Sequence, residues 1–114
     1  MFTISSKQIN LLDEIFKNIF IIKVEQILVN DFSNEGKVLI KDKIKLHMFI
    51  NRSIQKAYEY HITKEESIIG FIILNFLNGE NFLDTSDFAV YKYYLKRKMY
   101  DPNKYIFEIP NKNQ

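Results

Sequence analysis

Apolar residues recur along the first quarter of the chain at intervals that fit a helix. Most are three or four residues apart: Ile9, Leu12, Phe16, Ile19, Val24, Ile27 and Leu28. This spacing gives a helix an apolar face, and it predicts a first helix over about residues 6 to 30. A serine at position 5 or 6 is suited to cap its start, and the polar segment 31–36 ends it.

A second helix is predicted from Val38 or Asp42 to Tyr60. Its start is ambiguous, because the apolar residues at 38–40 also fit a short separate turn. A broad apolar stripe follows, made of Leu46, Met48, Phe49, Ile50, Ile54, Ala57 and Tyr58.

The third predicted helix, Lys64 to Asn78, has the clearest boundaries. The run Thr63-Lys-Glu-Glu66 fits a capping box, in which the threonine hydroxyl accepts a first-turn N–H and Glu66 accepts the threonine N–H. Gly79 is typical of a helix end that needs a positive φ. Apolar residues lie on every side of this helix, which predicts a buried central element. Gly70 inside it suggests a close helix crossing.

A fourth helix is predicted from Ser86 or Asp87 to Met99, ahead of Pro102. Its core stripe is Phe88, Tyr91, Leu95 and Met99. Weak alternation from Tyr105 to Ile109 predicts an extended tail that begins at about residue 102 and lies on the body, with residues 111–114 disordered. The pattern therefore predicts an all-α, single-domain bundle of about four helices over residues 1–114, with an extended C-terminal tail.

Composition agrees with this fold class and narrows the functional classes. Three Gly and two Pro leave little turn chemistry for an all-β chain, and 46% hydrophobic residues are too many for disorder. The net charge of +2 creates no strong field for nucleic acid or an anionic membrane. The longest apolar run, Ile68 to Leu77, is about half of a membrane span. With no cysteine and no signal-peptide pattern, we expect a soluble cytoplasmic protein.

No residue pattern indicates catalysis or a cofactor. His47 and His61 lack a third ligand at a spacing typical of zinc sites. Glu65 and Glu66 point about 100° apart on a helix, where the helix dipole and the capping box account for them. We therefore expect no enzymatic activity, no metal, no cofactor and no small-molecule substrate.

The fourth helix has a second face that its core stripe does not need, made of Val90, Tyr93, Tyr94 and Arg97. Tyrosine and arginine beside an aliphatic residue are typical of the energetic centre of a protein interface. Burial of this face under the tail is an equally good interpretation. Basic residues around these tyrosines also suggest a nucleic-acid helix, but the balanced overall charge argues against it.

Several of these segments, in order, resemble a set of small proteins encoded beside spike, PAAR and effector genes in type VI secretion gene clusters of Gram-negative bacteria. The residues that carry the resemblance are Ser5-Ser-Lys-Gln8, Ile54-Gln-Lys-Ala57, Thr63-Lys-Glu-Glu66, Phe71-Ile-Ile-Leu-Asn-Phe76 and Gly79-Glu-Asn-Phe82. Two features depart from the pattern. His61 stands where members have glycine, and the segment after Phe82 lacks the usual D-x-D-P and tryptophan, with Phe88 in the tryptophan position.

The resemblance implies a non-enzymatic accessory of a secreted effector. The first role that it implies is an adaptor or chaperone that binds the effector or a spike/PAAR-type protein. The second is an immunity protein that blocks a toxin. The balanced charge argues against an inhibitor of a nuclease toxin that mimics the phosphate backbone. A small DNA-binding regulator is the alternative from another class.

Overall fold

In the computed structural model, the backbone is described for residues 6–32 and 41–110, and the side chains for residues 15–32 and 41–110. The helices are α1 (Ser6–Asp31), α2 (Lys43–Glu59), α3 (Glu65–Asn78), α4 (Ala89–Lys96) and α5 (Pro102–Tyr105). Single 3₁₀ turns are Phe82–Asp84, Ser86–Phe88 and Ile106–Glu108. The described ranges contain no strand, and the predicted all-α bundle is confirmed. The predicted serine cap, the polar segment 33–36, the alternative start at Val38 and the tail residues 111–114 lie outside what is described.

The core forms around α3, as predicted. This helix packs on α2 along one side and on the C-terminal segment along another, while α1 packs on α2. Aromatic rings continue the core beyond α3: the centroid of Phe71 lies 6.3 Å from Tyr60 and 6.0 Å from Phe82, and Phe82 lies 5.0 Å from Phe88. Such ring pairs add about 0.5–1.5 kcal/mol each beyond their buried area.

A buried polar pair fixes how α2 and α3 cross. Asn75 Nδ2 donates to Ser53 Oγ over 2.8 Å, and Asn75 Oδ1 accepts from the backbone N–H of Asn81 over 3.2 Å. Both Ser53 and Asn75 are buried. The two hydrogen bonds satisfy the buried polar atoms of Ser53 and Asn75. They also tie the turn after α3 to the point where α2 and α3 cross, whereas a purely apolar contact would allow the two helices to slide along each other.

The start of α2 matches one of the two predicted positions. Asp42 is its N-cap residue, and Oδ1 accepts from the backbone N–H of Lys45 over 3.1 Å. At the other end, His61 has φ of 64°. The N–H groups of His61 and Ile62 donate to the carbonyls of Tyr58 and Ala57, both over 3.0 Å. This is a Schellman motif, whose left-handed position glycine normally occupies.

The predicted capping box at the start of α3 is wrong. The N-cap residue is Lys64, not Thr63, and its side chain makes no capping hydrogen bond. Asn103 instead holds the segment that leads into the helix: its Oδ1 accepts from the backbone N–H groups of Thr63 and Lys64, over 2.8 and 2.9 Å. In addition, Ser67 Oγ donates to the Asn103 carbonyl over 2.6 Å. A residue about 40 positions later thus anchors the start of this helix.

The tail is helical through Glu108, so the predicted extended form is wrong there. Asp101 starts α5 by accepting from the backbone N–H of Asn103 over 3.0 Å, with Pro102 at the first helical position. Ile106 and Ile109 are buried against the body. A Cβ on Gly70 would lie 3.0 Å from Cε1 of Phe107. The close neighbour of this glycine is therefore a tail side chain and not a crossing helix.

The predicted core stripe of α4 holds for three of its four members. Phe88 and Leu95 are buried and Tyr91 is half-buried, but Met99 is 56% exposed. The helix ends at Lys96, and Lys98 takes a φ of 53°. This left-handed residue turns the chain, so Met99 leaves the helical face on which the prediction placed it.

Replacing Asn103 by alanine should destabilise the fold by about 1–2 kcal/mol, because the backbone N–H groups of Thr63 and Lys64, just before α3, lose their acceptor. Thr63→Ala is the matched control and should change stability little, since its backbone N–H remains. Chemical denaturation measures both. Equal losses for the two variants would contradict this role of Asn103.

Replacing His61 by glycine should stabilise the fold by about 0.5–1 kcal/mol, because glycine adopts a positive φ without the steric cost of a Cβ. His61→Ala keeps the Cβ and should give no gain. Thermal unfolding of the three proteins checks this. A lower melting temperature for the glycine variant would show that the imidazole itself stabilises the turn.

Candidate protein-binding site

Three of the four residues proposed for a partner face lie open at the surface of α4. Val90 is 52% and Tyr93 49% exposed, and Arg97 is exposed as well. The guanidinium carbon of Arg97 lies 4.6 Å from the centroid of the Tyr93 ring. This cation–π contact, between residues one helical turn apart, holds the two side chains together before any partner binds. We call Val90, Tyr93, Tyr94 and Arg97 the tyrosine face.

Tyr94 is part of the tyrosine face and also packs against the C-terminal segment. Its ring centroid lies 5.8 Å from Tyr93, 5.7 Å from Tyr100 and 5.9 Å from Tyr105. Tyr100 and Tyr105 stack at 5.2 Å with an angle of 11° between their planes. The C-terminal segment thus covers Tyr94, which is half-buried, and leaves Tyr93 open. Each of the two sequence interpretations describes part of the face, and binding itself stays a prediction.

A shallow pocket of about 460 Å³ lies beside the tyrosine face. Its lining residues are Tyr94, Tyr100, Asp101, Lys104, Tyr105 and Glu108. Burial raises the pKa of Tyr105, and the neighbouring phenols and Glu108 raise it further. A phenol is protonated at neutral pH even without such a shift, so the hydroxyl is able to donate a hydrogen bond. The pocket was not predicted from the sequence, because an extended tail would not bring Tyr100 and Tyr105 together.

Two basic side chains of α4 have partners within the chain. Lys92 Nζ forms a salt bridge with Asp84 Oδ1, and this hydrogen bond raises the pKa of Lys92 and lowers the pKa of Asp84. Arg97 lies over Tyr93. Lys96 and Lys98 are exposed. The basic surface available to a phosphate backbone is therefore smaller than the sequence suggests.

The residues considered for catalysis are dispersed. His47 Nδ1 lies 3.3 Å from Glu25 Oε1, and His61 sits in the turn after α2. Glu65 pairs with Lys23 over 2.7 Å. No group of three or more histidines and carboxylates suited to a metal ion occurs among the described residues.

A second exposed apolar surface follows the outer side of α1. Of the predicted apolar residues, Val24 and Leu28 are buried, whereas Phe16 is 65% and Ile19 58% exposed. Ile21, which the predicted pattern did not include, is buried as well. The prediction placed the apolar residues on one face, but Phe16 and Ile19 lie on a different side of the helix from Val24 and Leu28.

No helix in the described parts of the chain is long and apolar enough to cross a lipid bilayer. Comparisons with protein-family models, with curated proteins and with solved structures found no match.

Proposed function

We propose that this chain is a non-enzymatic, protein-binding accessory of a type VI secretion effector. It acts as an adaptor or chaperone that holds the effector or a spike/PAAR-type protein, in the cytoplasm, before export. The observation that carries the binding role is the exposed Tyr93 ring with the Arg97 guanidinium above it. The assignment to type VI secretion rests on the sequence resemblance alone.

The tyrosine face has the chemistry of an interface centre. Tyr93 offers a large ring and a hydroxyl, Val90 offers apolar area, and Arg97 offers a planar group with several donors. Because the cation–π contact already orders Tyr93 and Arg97, a partner loses less side-chain entropy when it binds them. Tyr94, supported by Tyr100 and Tyr105, gives the face a rigid floor.

A protein partner suits this face better than nucleic acid. Lys92 is engaged by Asp84, so an approaching phosphate would have to displace this salt bridge to reach the lysine. The whole chain carries only +2, and phosphate contacts dominate nucleic-acid affinity.

Replacing Tyr93 or Arg97 by alanine should weaken partner binding by about 1–3 kcal/mol with little change in melting temperature. Tyr94→Ala should instead lower the melting temperature, because it removes packing against Tyr100 and Tyr105. Tyr58→Ala, which removes an equally exposed tyrosine on α2, is the matched control. The partner is first identified by a pull-down with the products of the genes beside the one that encodes this chain. Titration calorimetry of each variant with that partner then gives the affinities.

Cell experiments separate the possible roles. For an adaptor, Tyr93→Ala reduces export of the effector, while cells stay protected from it. Loss of protection with normal export would indicate an immunity protein instead. Salt-dependent retention on DNA, with no protein partner found, would contradict the proposal and indicate a regulator.

A further inference from the structure

The pocket beside the tyrosine face combines aromatic rings with acidic side chains. Its lining consists of three phenol rings, two carboxylates and one ammonium group, those of Tyr94, Tyr100, Tyr105, Asp101, Glu108 and Lys104. Tyr100 and Tyr105 stack with 11° between their planes, and Tyr94 stands nearly perpendicular to both, at 79° and 85°. We call this cavity the aromatic pocket.

The ring packing leaves an aromatic surface open in the pocket. Tyr105 covers one face of the Tyr100 ring, yet Tyr100 stays 54% exposed. The faces of aromatic rings carry partial negative charge and attract cations. A cation that enters the pocket therefore meets a Tyr100 ring that its neighbours already hold in place.

The carboxylates add negative charge that no cation of the described chain neutralises. Asp101 uses Oδ1 to accept from the backbone N–H of Asn103, over 3.0 Å. The pKa of Tyr105 is raised by burial and also by Glu108, whose carboxylate is therefore near this phenol. Within residues 15–32 and 41–110, neither carboxylate forms a salt bridge. The Lys104 ammonium thus lies beyond ion-pair distance of both.

We propose that the aromatic pocket binds the guanidinium group of an arginine side chain that the protein partner supplies. A guanidinium is planar, so it stacks on an aromatic face while its edge donates hydrogen bonds to a carboxylate, and a lysine ammonium has no such plane. The chain itself contains half of this arrangement, because Arg97 lies over the Tyr93 ring at 4.6 Å. The partner as the source of the arginine rests on the proposed function.

The shape of the pocket favours a side chain over a free small molecule. Sites for small molecules bury about 70–90% or more of the ligand surface, whereas this pocket is shallow and its Tyr100 and Glu108 are exposed. A side chain needs less enclosure, since the rest of its protein is held elsewhere. Tyr94 is shared by the pocket and the tyrosine face, so a partner on that face also borders the pocket.

Titration of the full chain with N-acetylarginine amide, followed by NMR of the tyrosine ring signals, tests the site without the partner. The matched probe is N-acetylcitrulline amide, which keeps the planar end group but carries no charge. Arginine should shift the ring signals of Tyr94 and Tyr100, with a dissociation constant on the order of millimolar and at least about fivefold below that of citrulline. Equal constants, or shifts at other tyrosines only, would overturn the proposal. A micromolar constant would overturn the partner as the source.

Variants of the pocket wall test its chemistry. Glu108→Gln should weaken arginine binding about two- to fivefold, since it removes an exposed ion pair. Tyr100→Leu should weaken it because the ring face is lost, and Lys104→Gln should strengthen it because a like charge is lost. Glu66→Gln alters an exposed carboxylate on α3 and is the matched control. Unchanged affinity in Glu108→Gln, or weaker binding in Lys104→Gln, would overturn the proposal.

Partner binding separates this inference from the proposed function. With the partner found by pull-down, Glu108→Gln should weaken the affinity about two- to fivefold, as for the arginine probe. A partner whose affinity depends on Tyr93 but not on Glu108 would overturn the arginine pocket and leave the proposed function standing. If no protein partner binds, the proposed function fails together with the source of the arginine, while the preference of the pocket for arginine over citrulline is still decided by the NMR titration.

Discussion

The side-chain oxygen of Asn103 joins the end of the chain to its centre. It accepts two N–H groups at the start of α3, while the carbonyl of the same residue accepts the Ser67 hydroxyl. The two N–H groups belong to Thr63 and Lys64, the residues just before α3. One residue thus ties the start of α3 to α5.

The position of α5 decides which tyrosines pack within the chain and which stay exposed to a partner. Once Asn103 is fixed, the next two residues carry Tyr105 against Tyr94 and Tyr91, at 5.9 and 6.4 Å. Ile106 then enters the core. Tyr93, one residue before Tyr94 on the helix, points about 100° away and stays open. The proposed binding face is therefore the part of α4 that the C-terminal segment does not reach.

Local patterns predicted the helices well because their causes are local. Asp42 starts α2 through its own side chain, and Gly79 ends α3 with a φ of 100°. The error at Thr63 arose because a distant residue decides the structure there. Thr63 fits a capping box, but its backbone N–H donates to Asn103, 40 positions away, and α3 starts one residue later. Met99 fits the core stripe of α4 by period, but the turn at Lys98 removes it.

The two exposed surfaces, on α4 and on α1, were not equally predictable from the sequence. The tyrosine face was visible as a second face of α4, although the coverage of Tyr94 depended on how the tail folds. The exposed apolar side of α1 was not predicted, because the apolar residues of both sides merge into one helical pattern. Periodicity gives the direction of each side chain, but it does not show which of two apolar faces the rest of the chain covers.

Amide hydrogen exchange at Thr63 and Lys64 measures whether Asn103 holds the C-terminal segment on α3. Both residues are exposed, so without Asn103 their amides would exchange at the rate of a free peptide. If Asn103 holds the C-terminal segment on α3, both amides are protected in the wild type, and the protection is lost in Asn103→Ala while the amides inside α2 keep theirs. Free-peptide exchange at Thr63 and Lys64 in the wild type would contradict this account.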